Sequence, residues 1–468
     1  MRHPPVDAAL EAQQQRFQDE VEELRRLVRV PSVSAEGFDR AELDRSAAAV
    51  ADLLRRHGFP EVEVLREGGS HPYVLAQRLE DPALPTVLLY AHHDVQPPGD
   101  GGAWRSPPFE PTVRDGRLFG RGAADDKAGV ILHAAAVDAW IRGTGRLPVN
   151  VTVLVEGEEE TGSEHLAAFA ARHRQRLRAD AVVLADAGNL APGLPCLTVS
   201  LRGLVCVDVE VRAVERSLHS GVWGGPVPDP AVALAKMLAS LVDDDGRLAI
   251  PGLAERVRAV PARQREALAA LGVDRDRFGA LAGLLPGVQL IGHGHPLELC
   301  WWEPALTVNA IQVSSRAEAR NVVNGAAWAQ VAIRIVPDLE PGDVRDRLCA
   351  ALRAAAPWGV QVELRTRDLV PAWATDLGHP AFGAARRALE KGFGRPALAI
   401  GCGGSMGFVA PLASGPGGPP ALVVGVEDPF SNAHSENESV ELGDLARAIR
   451  SEIHLLAELA GVLRPRGR

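Results

Sequence analysis

The sequence lacks long apolar runs and closely spaced cysteines. No stretch of about 18 apolar residues is present, so we expect no membrane-spanning segment and no membrane partner. The 5 cysteines lie far apart without a CxxC pair, which excludes a zinc finger and favours a reducing compartment. The N-terminal residues are charged and lack the apolar core of a signal peptide, so we expect a cytoplasmic protein.

Acidic residues outnumber basic residues, and lysine is scarce. The 468 residues include 60 acidic and 50 basic ones, giving a net charge of −10, and we therefore expect no nucleic-acid partner. Lysine occurs only at positions 127, 236 and 391. Hydrophobic residues make up 46% and charged residues 24%, as in ordinary globular proteins. A chain of this length and composition can bury a sizeable core, which excludes general disorder.

Both ends of the chain carry an alternating strand and helix pattern. The pattern predicts helices at residues 7–30, 41–57, 129–141, 163–173, 380–392 and 440–463. Short apolar runs predict strands at residues 86–90, 149–155, 181–185, 397–401 and 421–426. Such alternation is typical of βαβ units and of a mainly parallel sheet.

The middle of the chain has a different pattern. Residues 205–211 alternate apolar and polar side chains, as expected for a sheet with one solvated face. Further predicted strands lie at 305–313, 329–336 and 360–366, and predicted helices lie at 230–242 and 341–355. The segment 251–290 is rich in Arg, Ala and Leu and is predicted to be helical. We therefore predict an α/β fold with an inserted α+β domain: 1–198 and 371–468 form one domain, interrupted by 199–370.

Polar residues with catalytic potential follow the predicted strands. His92 and Asp94 form an HxD pair in the segment 90–98, at the end of a strand. Ligands of open α/β sheets bind at the carboxyl ends of strands, and a histidine there can hold a metal ion while a carboxylate orients it. Taken alone, the pair is weak evidence for a metal site and is more typical of a solvated polar loop.

Two further acidic segments follow. In GRGAADDKAG at 120–129, Asp125 and Asp126 precede a helix, where they are either helix caps or ligands. The segment lacks the GxxxxGK[ST] spacing of a phosphate-binding loop. Three adjacent glutamates in EGEEETGS, residues 156–163, form either an exposed acidic loop or a site that needs cations.

Two single residues complete the set. Asp186 ends an apolar strand, where an aspartate is most often a turn or cap residue, and His434 lies in the polar loop SNAHSENE. In combination, two histidines and several carboxylates converge on strand ends of one sheet. A mixed set of nitrogen and oxygen donors suits zinc, cobalt or manganese.

The motifs HxD, GRGxxDDK, EGxEETGS, Asp186 and HSENE occur in one order. Together they resemble those of the co-catalytic dinuclear zinc metallopeptidases, which include carnosinase, aminoacylase and carboxypeptidase G. The resemblance extends over most of the chain, and HxDVQP and LHSGVWGG are most similar to the carnosinase-type dipeptidase branch. It implies a catalytic domain formed by 1–198 and 371–468, and a lid and dimerisation domain formed by 199–370.

The resemblance implies two divalent metal ions per subunit, with zinc expected and manganese or cobalt as alternatives. One ion would be held by His92, Asp125 and Asp186. The other would be held by Asp125, Glu160 and His434, so that Asp125 bridges the two ions.

The resemblance also implies roles around the metal ions. Asp94 would orient His92, and Glu159 would be the general base. His219, in LHSGVWGG, would enter the active site of the neighbouring subunit of a homodimer and stabilise the oxyanion. Arg334 would bind the substrate carboxylate, and Asn309 would lie near substrate contacts on the dimer side.

One loop departs from the family pattern. The family's substrate loop GGSIP reads GGSMG here, with Gly403, Gly404 and Ser405 retained as substrate-binding residues. Met406 and Gly407 replace the usual Ile-Pro, and the missing proline predicts a less rigid loop.

We therefore expect metal-dependent hydrolysis of the amide bond of dipeptides or short peptides that carry a free C-terminal carboxylate. Deacylation of N-acyl-amino acids at the same site is the nearest alternative. A non-catalytic dimer that binds carboxylates is a second, although the complete ligand set argues against it. A metal phosphoesterase is a third, although few basic residues are available for phosphate.

Overall fold

A computed structural model describes residues 6–260, 265–266, 268–269, 271–375, 377–404, 407–413 and 418–465. The chain divides into two compact units. The first unit comprises Met1–Val199, Thr375–Ile400 and Gly407–Arg468, and the second comprises Ser200–Ala374 and Gly401–Met406. The functional domains inferred from the sequence, with their lid and dimerisation roles, stay a prediction.

The described helices are numbered along the chain. They are α1 (Val6–Val28), α2 (Arg40–Arg56), α3 (Lys127–Thr144), α4 (Leu166–Arg172), α5 (Ser220–Trp223), α6 (Pro230–Ala239), α7 (Arg275–Leu281), α8 (Pro296–Trp302), α9 (Pro341–Ala355), α10 (Pro380–Phe393), α11 (Val409–Ala413) and α12 (Leu442–Val462). Short 3₁₀ turns include Glu159–Thr161.

The strands are numbered in the same way. They are β1 (Glu61–Leu65), β2 (Tyr73–Arg78), β3 (Thr86–His92), β4 (Thr112–Arg114), β5 (Arg117–Phe119), β6 (Asn150–Glu156), β7 (Ala181–Leu184), β8 (Cys196–Leu201), β9 (Gly203–Arg212), β10 (Leu218–His219), β11 (Ala305–Gln312), β12 (Val322–Val323), β13 (Ala326–Ile335), β14 (Gln361–Val370), β15 (Trp373–Ala374), β16 (Leu398–Cys402), β17 (Ala421–Val423) and β18 (Ser439–Glu441).

The first unit is built on a large mixed sheet with the order β1-β2-β6-β3-β7-β17-β8. Its centre, β6-β3-β7-β17, is parallel, because these strands are joined by crossovers along the chain. The flanking strands β1 and β2 pair antiparallel with each other, and β2 pairs antiparallel with β6. The predicted α/β fold is thus confirmed, with an antiparallel pair, β1 and β2, that the sequence pattern missed.

The buried helix α3 anchors the core of the first unit. Asp126 caps its first turn by accepting a hydrogen bond from the backbone N–H of Gly129. It ends at Gly145, whose positive φ of 80° suits a residue without Cβ. Every side chain from its start to Trp140 is buried, because small alanines let α1, α12 and β3 pack closely around it. This helix fixes the loop that precedes it, which carries Asp125.

The second unit is an antiparallel sheet with the order β11-β13-β9-β14. Alternate residues of β9, such as Val205, Val207 and Val209, are buried against a separate apolar core. The helices α6 and α9 cover that face. The alternating pattern of residues 205–211 therefore predicted this sheet correctly.

The prediction of helix for 251–290 is wrong for most of the described part of that segment. The helical residues described there are the 3₁₀ turn Ala254–Arg256, the short stretches 265–266 and 268–269, and the helix α7. Glycines with positive φ at 252, 272, 283 and 287 divide the segment, and they override the helix propensity of Arg, Ala and Leu. Among the described residues, no helix has the length and apolarity needed to cross a membrane.

Candidate metal centre

His92, the last residue of β3, has a fully buried side chain that is held on both ring nitrogens. Its Nδ1 atom lies 3.1 Å from the backbone carbonyl oxygen of Asp94 and 3.4 Å from a carboxylate oxygen of the same residue, and its Nε2 atom lies 3.0 Å from Oδ1 of Asp125. A carboxylate behind one nitrogen fixes the ring and directs the other nitrogen toward a ligand. His92 therefore presents Nε2 to the acidic groups in front of it.

Asp94 also organises the loop that follows β6. Its two carboxylate oxygens accept hydrogen bonds from the backbone N–H groups of Glu159, at 3.2 Å, and Glu160, at 3.0 Å. Burial raises the pKa of Asp94, but the contacts with His92 outweigh it and hold this pKa below its ordinary value. A single buried carboxylate thus orients the histidine and both glutamates.

Asp125 lies between two histidines that are far apart in sequence. Its Oδ1 atom faces Nε2 of His92 at 3.0 Å, and its Oδ2 atom faces Nε2 of His434 at 2.9 Å. The same Nε2 atom of His434 lies 3.2 Å from Glu160. Each oxygen of one carboxylate therefore serves a different group of ligand atoms, which is the arrangement of a bridging carboxylate.

We call the acidic and histidine residues at these strand ends the strand-end cluster. It consists of His92, Asp125, Glu159, Glu160, Asp186, Glu427 and His434. Three groups within it bring potential ligand atoms within 4.8 Å of one another: His92–Glu159–Asp186, Asp125–Glu160–His434 and Asp125–Asp186–Glu427. All five residues that the sequence predicted as metal ligands lie in these groups, and their individual roles remain predictions.

The strand-end cluster carries more negative charge than its own side chains can balance. Burial raises the pKa of Asp186 to about 7, with the neighbouring acids Asp125 and Glu160 adding to it. The pKa of Glu159 is raised well above its ordinary value, again mainly by burial. The ion pairs of these acids, over the described part of the chain, are with histidines alone. Mixed nitrogen and oxygen donors with surplus negative charge fit divalent cations.

Three supporting residues were not predicted from the sequence. Glu427 joins Asp125 and Asp186 in the third group, and its position just after β17 was the available signal. Gln96 donates two hydrogen bonds to the carboxylate of Glu160. One comes from the backbone N–H of Gln96, at 3.1 Å, and the other from its side-chain amide, at 2.9 Å. Gln96 belongs to the segment HHDVQP at residues 92–97, in which only His92 and Asp94 were predicted as site residues.

Glu438, the last residue of HSENE, is the third unpredicted residue and is fully buried. It accepts hydrogen bonds from the backbone N–H groups of Gly122, Ala124 and Asp125, at 2.9, 2.9 and 3.1 Å. Arg121 donates to it as well, at 2.5 Å. The loop that carries His434 is thereby tied to the loop that carries Asp125, although more than 300 residues separate them in the chain.

The remaining predicted site residues lie in the second unit. His219 ends β10 and is exposed, and its Nδ1 atom caps α5 by accepting from Gly221. Asn309 is exposed on β11 and donates to Gln330 at 3.2 Å. Arg334 is half-buried on β13, where burial lowers its pKa. Their proposed roles are untested by this geometry.

The glycine loop also belongs to the second unit. Gly403 and Gly404 follow β16, and Gly404 donates its N–H to Sγ of Cys402 at 3.3 Å. Ser405, the third predicted residue of this loop, lies outside the described residues.

Comparisons with known proteins agree with this fold and with a metal centre at the strand-end cluster. The model of the peptidase family M20/M25/M40 matches residues 88–458. Cysteinylglycine-S-conjugate dipeptidase of Corynebacterium striatum is 33% identical over 378 residues, which cover 80% of this chain and 80% of that protein. Human carnosine dipeptidase 1 has a similar structure, with a TM-score of 0.85 at 25% identity, covering 98% of this chain and 100% of that one.

A third similar protein is a carboxypeptidase by name. An M20 family metallo-carboxypeptidase from Sulfolobus solfataricus has a TM-score of 0.83 at 26% identity, covering 94% of this chain and 99% of that one. The similarity therefore extends to dipeptidases and to a carboxypeptidase, over nearly the whole chain.

Proposed function

Because the chain belongs to the peptidase family M20/M25/M40, we propose that it is a metal-dependent dipeptidase. The observation that carries the proposal is the position of Asp125, with one oxygen on His92 and the other on His434. A carboxylate that presents one oxygen to each of two ligand groups is suited to bridge two cations that lie side by side. The named dipeptidase relatives support the choice of substrate class.

We assign two divalent ions to the strand-end cluster. His92, Asp125 and Asp186 would hold one of them, and Asp125, Glu160 and His434 would hold the other. Zinc is our choice because it accepts both imidazole and carboxylate ligands, with manganese and cobalt as the alternatives to be tested. Two such ions, when bound, lower the pKa of water and polarise a carbonyl group.

Glu159 moves the protons in this mechanism. Its carboxylate lies 4.0 Å from Nε2 of His92, at the inner side of the cluster. It takes a proton from the attacking water and gives it to the leaving amine, so that one residue acts first as base and then as acid. Its backbone N–H is fixed by Asp94, which keeps this carboxylate beside the predicted metal ligands.

Two residues of the second unit complete the proposal. His219 would stabilise the oxyanion, since a donor aimed at developing negative charge contributes greatly to rate. Arg334 would bind the C-terminal carboxylate, because its planar guanidinium matches a carboxylate with two parallel hydrogen bonds. Asn309, Gly403, Gly404 and Ser405 would add contacts to the substrate.

The substrate class is tested with a panel of free dipeptides and the matching N-acyl-amino acids. Protein loaded with zinc, manganese or cobalt is assayed with and without a chelator. We expect chelator-sensitive cleavage of the free dipeptides. Cleavage of the acyl compounds alone would instead identify a deacylase, and cleavage of neither by metal-loaded protein would favour a carboxylate-binding protein.

We further propose a homodimer in a cytoplasmic setting. The strand β11 is at the edge of its sheet and is exposed from residue 307 to 312, including Val308 and Ile311. An exposed edge strand with apolar side chains is a template for pairing with another chain.

Subunit complementation tests the role of His219 in a dimer. Glu159→Ala and His219→Ala proteins are each expected to be inactive. When they are mixed and allowed to exchange, each heterodimer should contain one intact site, so about a quarter of the normal activity should return. Mixed proteins that exchange subunits but stay inactive would place His219 in its own subunit's site, or outside any site.

A further inference from the structure

The glycine loop after β16 is attached to one arginine. Arg202 donates from its backbone N–H to the carbonyl of Cys402 at 3.2 Å, and from Nε to the carbonyl of Gly403 at 3.2 Å. A third bond runs from Nη1 to the carbonyl of Glu303 at 3.3 Å. One residue thus holds two consecutive residues of the loop and connects them to the segment after α8.

The loop packs tightly against this guanidinium. A Cβ atom built on Gly403 would lie 2.9 Å from Nη2 of Arg202 and 3.2 Å from the carbonyl oxygen of Cys300. A side chain at position 403 would therefore have to displace the guanidinium or this carbonyl group. Gly403 permits the close approach to Arg202 within the second unit.

Arg202 is itself held rigidly. It is the single residue between β8 and β9, so strands fix its backbone on both sides. Its side chain is half-buried, and burial together with nearby Arg334 lowers its pKa. A fixed, charged donor with several N–H groups can hold two carbonyl oxygens at once, which a lysine cannot do in the same geometry.

We propose that Arg202 is a positioning residue, which holds the glycine loop in its substrate-binding conformation in place of the proline that this chain lacks at position 407. The inference rests on the proposed function, in which Gly403 and Gly404 contact the substrate. A loop held in advance loses less conformational entropy on binding. Arg202 acts through the loop and does not touch the reacting atoms.

The main test compares Arg202→Gln with the metal-loaded parent enzyme. We expect KM for the preferred dipeptide to rise about tenfold, because the charge-assisted hydrogen bond from the side chain to Gly403 is lost together with the one to Glu303, while kcat and metal content change little. Arg202→Lys should recover part of the loss. The matched control is Arg365→Gln, an exposed arginine of the same unit that pairs with Glu363, and it should leave KM unchanged.

A second variant tests the link to the missing proline. A Cβ at Gly407 would be 3.7 Å from its nearest neighbour, the carbonyl oxygen of Gly162, so this position has room for the side chain that the family pattern has there. Gly407→Pro should restore KM in the Arg202→Gln background and change it much less in the parent. Independent, additive effects of the two substitutions on KM would contradict the proposal.

Hydrogen exchange separates this inference from the proposed function. The peptide containing residues 401–404 should exchange faster in Arg202→Gln than in the parent, without any substrate present. Unchanged exchange, or an unchanged KM, would overturn the role of Arg202. A parent enzyme that cleaves no dipeptide would instead refute the proposed function, and the exchange result would still decide whether Arg202 holds the loop.

Discussion

The first unit contains two buried acidic clusters that balance their charge in different ways. The first is the strand-end cluster. The second, which we call the helical cluster, consists of Arg16, Glu20, Glu23, His57 and Asp138 and lies where α1, α2 and α3 meet. Both clusters combine carboxylates with histidine in the protein interior, so burial alone does not distinguish a structural cluster from a metal centre.

The helical cluster has arginine partners of its own. Arg16 lies 3.4 Å from Asp138, and Arg56 lies 3.8 Å from Glu23, which also contacts His57 at 2.7 Å. Arg142 adds a further bond to Asp138 at 2.6 Å. The strand-end cluster has no arginine or lysine partner among the ion pairs found in the described residues. Burial of acidic side chains is common to both clusters. The lack of arginine or lysine partners is what indicates that the strand-end cluster needs bound metal ions.

The largest expected effect is a loss of kcat caused by a substitution in the strand-end cluster. Glu159→Ala should lower kcat by about 10²–10⁴-fold, because general acid–base catalysis contributes that much. Metal content, measured by elemental analysis, should stay near that of the parent. The exposed neighbour Glu164 provides the control, and Glu164→Ala should retain activity. An active Glu159→Ala protein would remove the general base from the mechanism.

Removing the metal should lower the free energy of unfolding, and Asp186→Asn should recover part of this loss. In chelator-treated protein, Asp186→Asn should raise the free energy of unfolding by roughly 1–2 kcal/mol relative to the treated parent, because it removes one of several crowded buried carboxylates. In metal-loaded protein the same variant should bind metal less tightly. Thermal unfolding with and without chelator measures both effects, with the exposed Asp19→Asn as control.

An equal loss of stability in both forms would mean that Asp186 is a structural residue. The comparison of the two clusters would then fail, because the strand-end cluster would be balanced without cations.

The helical cluster should give a pH effect centred on Glu20. Burial raises its pKa from 4.5 to about 7, and the hydrogen bond from Gln13 only partly opposes this. Because the pKa is raised in the folded protein, the protonated form stabilises the fold. That contribution is complete below pH 4.5 and is lost as the pH rises to 7.

Glu20→Gln should therefore be more stable than the parent by roughly 2–3 kcal/mol at pH 8, with the difference vanishing near pH 4.5. Denaturant unfolding across this pH range provides the measurement. A constant difference at all pH values would show that Glu20 does not titrate in this range.

The smallest effect is expected at an exposed ion pair. Arg45 contacts Glu42 one turn away on α2, and 63% of the Arg45 side chain is exposed. Arg45→Gln should change the free energy of unfolding by less than about 0.5 kcal/mol, because water and salt screen such pairs. A larger loss would mean that charge pairs stabilise this protein irrespective of burial.

Much of the site was predictable because its residues belong to short motifs at strand ends. His92, Asp125, Glu160, Asp186 and His434 were each ambiguous alone, and their order and spacing made the set specific. Glu427 and Glu438 were missed because each looks like an ordinary loop glutamate in the sequence. Their neighbours come from segments more than 200 residues away, which no local pattern reveals.

The sequence alone was sufficient to predict the α/β fold, the placement of acids and histidines after strands, and the membership of a metallopeptidase family. These follow from local periodicity and from motifs. The tertiary structure decided that Asp125 faces two histidines, that Arg202 holds the glycine loop, and that Glu20 has a raised pKa. Each of these depends on which distant groups share one buried volume, and burial and proximity arise only when the chain is folded.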